Sequence, residues 1–155
     1  MSIEAIMAAV AEERVRQDEQ WGGAANDQKH GPQTWLAILG RQVGHVCEQD
    51  LVDATEDQRN LRAELVQVAA VCAAWAEALG VAPAAWAERV AHLANREPQT
   101  TPLANLLTEV GWMAMDATLA NPSVGALVHG LAHIAATAVA WAVALEPVKE
   151  GRSDG

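Results

Sequence analysis

Residues 61–79 read LRAELVQVAAVCAAWAEAL, and residues 127–145 read LVHGLAHIAATAVAWAVAL. Leu127 lies 66 positions after Leu61, and at that spacing Leu65/Leu131, Ala69/Ala135, Ala70/Ala136, Ala74/Ala140, Trp75/Trp141, Ala76/Ala142, Ala78/Ala144 and Leu79/Leu145 also coincide. Alanine-rich segments align easily by accident, but matched tryptophans, leucines and ends do not. A similarity at fixed period inside one chain indicates a repeated structural unit. The reading is therefore a duplication, with these two stretches as the central helices of an all-α fold.

The rest of the chain arranges itself around them. A first helix is expected over about residues 2–20, capped by Ser2 with Glu4 in its first turn. Ile3, Ile6, Met7, Val10 and Val15 form its apolar stripe. The glycines, Asn26-Asp27 and Pro32 of WGGAANDQKHGP, residues 21–32, then break the helical period. A second helix over about 34–49 turns Trp35, Leu36, Ile38, Leu39, Val43 and Val46 inward. The capping signature Thr55-x-x-Gln58 opens the third near Glu56, and Gly80 ends it in the left-handed conformation.

Pro83 opens a fourth helix to about Asn95. Its Glu88-Arg89-Val90 echoes Glu13-Arg14-Val15. Pro98 and Pro102 bracket the link to a fifth, about 103–119, which repeats the second at a spacing of 67: Leu36/Leu103, Ala37/Ala104, Leu39/Leu106, Val43/Val110, Gly44/Gly111. Ser123 caps the sixth and Pro147 ends it. The expectation is one all-α domain over 1–147, made of a unit at 2–79 and a degenerate unit at 83–146, with a flexible tail at 148–155. Neither unit buries its apolar faces alone, so the two close one core as an intrachain pseudo-dimer. Trp75, Trp86, Trp112 and Trp141 are assigned to that core.

Composition narrows the partners. Of 155 residues 51% are apolar, with six Trp but no Phe or Tyr, which suits closely packed helices. A net charge of −10 argues against a nucleic-acid polymer or an anionic membrane. It leaves room for a single nucleotide met by a metal ion and a few arginines. Cys47 and Cys72 do not make a disulfide framework, and the first residues lack a signal-peptide pattern, so a cytoplasmic setting is expected. Residues 124–145 are apolar enough to resemble a membrane span, but their twin carries Arg62, Glu64, Gln67 and Glu77; the core helix of a bundle is the preferred reading.

The run Glu13-Arg14-x-Arg16-Gln17-x-x-Gln20-Trp21-Gly22-Gly23, then Asp27-x-x-His30, Trp35, and Glu64-Leu65-Val66-Gln67-Val68-Ala69-Ala70 resembles a MazG-like protein of the all-α nucleoside triphosphate pyrophosphohydrolases, in a small phage or bacterial form. The similarity covers about residues 12–79 and extends more faintly through the duplicate. It implies cleavage of an NTP or dNTP between the α and β phosphates, giving a monophosphate and pyrophosphate, with Mg²⁺ or Mn²⁺ as cofactor. Carried onto this chain, it implies Glu64 as catalytic residue and metal ligand, with His45 and Gln42 at eroded ligand positions. Gln17, Gln20, Trp21, Asp27, His30, Trp35 and Gln67 would form the substrate side. It also implies a homo-oligomer, either two chains in a tetramer-like assembly or a monomeric pseudo-dimer.

The chain departs from that pattern where the chemistry is heaviest. Family members place carboxylates three apart on two helices, sharing one face for a hard cation. Here the four places are Gln42, His45, Glu64 and Gln67, and in the duplicate Glu109, Trp112, Gly130 and His133. An imidazole at His45 favours a softer ion such as Zn²⁺ or Mn²⁺. Structural readings stand beside these. Glu64 could pair with Arg41 or Arg62, and His45 could be a packing histidine. His129 and His133 have metal-compatible spacing without a third ligand. Glu109 and Asp116 could be solvated or arginine-paired, Trp21 and Trp35 could be packing anchors, and Asp27 and His30 could simply close their loop. The fold is expected to outlast the chemistry. A non-catalytic nucleotide-binding or protein-interaction bundle, and a purely structural bundle of phage or mobile-element origin, are the alternatives.

Overall fold

The computed structural model describes residues 1–51, 58–96 and 100–145. Among these there are seven helices and no strand: α1 (Ile3–Trp21), α2 (Gly23–Asp27), α3 (Pro32–Leu51), α4 (Gln58–Ala78), α5 (Pro83–Ala94), α6 (Pro102–Ala117) and α7 (Val124–Ala144). The protein is all-α. Thr55, Glu56, Pro98, Pro147 and the tail at 148–155, to which the sequence assigned caps, stops and flexibility, lie outside the described residues.

Helix ends follow local chemistry. The Ser2 and Ser123 hydroxyls accept from the amides of Ala5 (3.1 Å) and Ala126 (3.3 Å), satisfying first-turn donors. Gly80, at φ 93°, closes α4 in a Schellman arrangement. The Gly80 amide donates to Glu77 (2.9 Å) and the Val81 amide to Ala76 (3.0 Å). The stretch expected to be irregular contains α2 instead. Gly22 and Gly23 both take positive φ, the Gly22 amide bonds back to Asp18 (3.0 Å), and the chain turns sharply enough to start a new helical turn at once.

The centre is α4 packed on α7. Arg62, near the start of α4, donates to the carbonyls of Ala142 (3.3 Å) and Leu145 (2.7 Å) at the end of α7, so the two helices run antiparallel. These bonds also satisfy carbonyls that a helix end leaves without partners. α1 and α3 pack on α4, while α5 and α6 pack on α7; α1 also meets α5 and α7, α3 meets α6, and α2 rests on α1 and α4. Every residue from Ile134 to Ala142 is buried, as are Val68 to Ala76 on α4. Small side chains let the two backbones approach, and Trp75 (1% exposed) and Trp141 (6%) fill the remaining volume. α7 is long and apolar enough to cross a membrane, and here it is the innermost helix of the bundle.

Two packing expectations are corrected. Val15 is exposed at 59%, because the buried stripe of α1 runs through Ile6 and Val10 into Arg14, a different face of the helix. Consequently the Val15/Val90 echo does not hold in burial, since Val90 is in the core. Trp112 is exposed at 67% rather than buried: α6 turns Leu106, Met113 and Ala117 inward, and residue 112 falls outside that stripe.

Candidate functional site

Glu64 on α4 faces α3, where the one-turn spacing of Gln42 and His45 brings both side chains to it. The Gln42 amide nitrogen donates to Glu64 Oε2, and His45 Nδ1 lies 3.7 Å from the same oxygen. All three are half-buried. Arg62 is committed to the α7 carbonyls. The sequence reading thus placed these three residues together, and the structure does bring them together.

Gln67 does not join them. One turn further along α4, it lines an open groove of about 490 Å³ between α1 and α4, with Glu12, Glu13, Arg16 and Arg62 on its walls. Arg16 is held by Glu13 on its own helix and donates to Gln20 (3.1 Å).

The remaining candidates gather at the other end of α4. Arg14 is mostly buried and donates to Gln17 (3.1 Å), Asp18 (2.9 Å) and Glu77 (2.8 Å), with Asp27 at 3.8 Å; its buried Nε has no hydrogen-bond partner among the described residues. Asp27 is buried, and that burial pushes its carboxyl above the ordinary value; Arg14 opposes the shift, while the neighbouring acids Asp18 and Glu77 add to it. The Asp27 carbonyl accepts from the His30 amide (3.1 Å), closing the loop. The His30 ring stands edge-on to Trp35 (5.3 Å, 88°), and Trp35 stacks on Trp75 (6.1 Å, 8°). Trp35 is 4% exposed and belongs to the core, whereas Trp21 is 60% exposed. Trp75 lies eleven residues beyond Glu64, about 16 Å along the helix axis. The loop residues and the Glu64 cluster are therefore separate places on one helix.

Arg14 is the organising residue that the sequence reading quoted without a role. Its signal was present: Ile6, Val10 and Arg14 fall four apart, so a cation ends a buried apolar stripe and demands partners.

The duplicate half has its own polar contacts. Thr137 Oγ1 donates to both oxygens of Glu109 (3.0 and 2.8 Å). Burial, and secondarily the Glu109 charge, pushes the neighbouring Cys72 thiol far up, so it stays protonated and inert. The His129 and His133 rings lie 4.5 Å apart, tilted by 58°, with Arg89 3.4 Å from His129 Nδ1.

Among the described residues, no three His, Cys, Asp or Glu side chains come together as a metal cluster. One carboxylate, one amide and one imidazole are not the hard-oxygen set that Mg²⁺ requires, and the Gln42 N–H already occupies a carboxylate oxygen. The residues present do not fit that ion. Compared with family models, curated proteins and solved structures, the chain matches none.

Proposed function

We propose that this chain is a MazG-like bundle formed by internal duplication, and that it binds a nucleoside phosphate without hydrolysing it. The duplication is supported by the packing partners. Exchanging α1 for α5, α3 for α6 and α4 for α7 turns the contacts of one half into those of the other, with α2 as the extra piece. The equivalent residues Leu65/Leu131, Ala70/Ala136 and Trp75/Trp141 are buried alike.

Loss of turnover rests on one observation: Glu64 is engaged by Gln42 and His45, where a metal-dependent hydrolase needs further carboxylates. Retained binding draws on the open groove beside Gln67, where a phosphate would have to take Arg16 from Glu13, since Arg62 is held by the α7 carbonyls.

Pyrophosphate release from a panel of NTPs and dNTPs with Mg²⁺ or Mn²⁺ should stay at background, while the same nucleotides raise the melting temperature. Restoring carboxylates beside Glu64 with Gln42→Glu and His45→Glu together should bring metal-dependent release above that background. Multiple turnover by the unmodified chain, abolished in Glu64→Ala, would restore the pyrophosphohydrolase reading. No thermal shift with any nucleotide would leave the protein-interaction bundle, a reading favoured by the apolar outer face of α6.

A further inference from the structure

α6 is apolar on two opposite faces, and only one of them is covered. Leu106, Met113 and Ala117 point into the core, yet Leu107 (45% exposed), Trp112 (67%) and Met115 (69%) line the solvent side, and Leu119 (59%) and Val124 (52%) extend the surface past its end. A helix apolar all round is normally buried all round. Its counterpart α3 has the ordinary pattern, with Gln33, Arg41, Glu48 and Asp50 exposed.

We infer that the outer face of α6 docks a second copy of this chain, antiparallel to itself about a two-fold axis passing close to Gly111 and Trp112.

Charge selects the occupant. From Thr100 to Val124 there is no Lys, Arg or His, and of the two acids in that stretch Glu109 is engaged by Thr137. A surface so nearly uncharged offers nothing to an acidic or basic partner, and with a net charge of −10 and no basic flank it is poorly suited to a lipid headgroup layer. The same surface meets itself without opposing like charges at its centre.

Shape agrees. A side chain at Gly111 would meet no other atom within 4 Å, so this position is a dent open to solvent beside the largest knob on the face. In an antiparallel pairing each Trp112 settles against the other copy's Gly111. The exposed apolar side chains amount to on the order of 500 Å², a large part of the roughly 800 Å² per partner in a standard-size interface. A buried tryptophan at the centre is the usual anchor of such a contact. The inference is independent of nucleotide binding.

Sedimentation equilibrium of the full chain tests it, from low-micromolar to near-millimolar concentration. The expected result is a reversible shift from 16.4 kDa to twice that mass, tightened by added salt as repulsion between two acidic chains is screened. Trp112→Ala and Met115→Lys should each weaken the dimer roughly thirtyfold or more while leaving the helical circular dichroism unchanged. Gly111→Ala should fill the dent and weaken the dimer while making the monomer, if anything, more stable. A chain that stays at 16.4 kDa throughout overturns the inference. So does a dimer indifferent to all three substitutions, or a monomer that binds phosphatidylcholine vesicles through Trp112.

Discussion

Asp27 is held in a buried position by a neighbour that only partly compensates it. Its carboxyl lies above the ordinary 3.8 because burial outweighs the attraction of Arg14, 3.8 Å away. The native state therefore holds this proton more tightly than the unfolded chain does. By linkage, the associated stability is complete below pH 3.8 and is lost as pH rises through the raised native value. Asp27→Asn should remove that decline. Urea unfolding of both proteins across the acid range should show the unmodified chain losing ground to the variant as pH rises, with the variant at least as stable at neutral pH. A wild-type chain that gains on the variant over that range would mean that the Arg14 pairing outweighs burial.

At the scale of the elements, the contact between α6 and α7 is tuned by a glycine. A methyl group at Gly130 would come 2.9 Å from the sulfur of Met113, the far end of a flexible but fully buried side chain. Gly130→Ala gains up to about 1 kcal/mol of helix propensity and loses a similar amount in displacing that sulfur. Its net effect on chemical denaturation should be within about 1 kcal/mol of zero. Gly130→Val adds branched bulk that a shifted methionine does not absorb, and should cost about 2 kcal/mol or more.

The whole molecule stands or falls on the α4–α7 contact. Each of these helices is buried over a long continuous stretch, and much of that cover comes from the other half of the chain. Residues 1–80 and 81–155 produced separately should therefore show weak helicity and no cooperative melt, and should regain both when mixed. A cooperative transition in either half alone would mean that the halves are independent domains.

Much of this was legible in the residues themselves. Nine matches at one spacing, Trp75/Trp141 and Leu65/Leu131 among them, announced two buried central helices, because the helical period and side-chain type decide which residues seek the core. Spacing showed only that Gln42 and His45 share a face of α3; that this face meets Glu64 was an expectation taken from the family resemblance, and it takes the packing of α3 on α4 to bring them together. Trp112 was not legible: tryptophan type favours burial, but its exposure depends on which face α6 turns to α7, and that is set by neighbours distant in sequence. Arg14 and Trp35 show the same division. Their residue types and local spacing promised a demanding side chain, while Asp27 and Glu77, which join Asp18 of the same helix around Arg14, and the indole that stacks on Trp35 come from α2 and α4. The chain's own order of residues determined an all-helical protein with a repeated centre. Only tertiary packing decided which polar groups meet, because hydrogen bonds and ion pairs act over a few ångströms between residues that may be sixty positions apart.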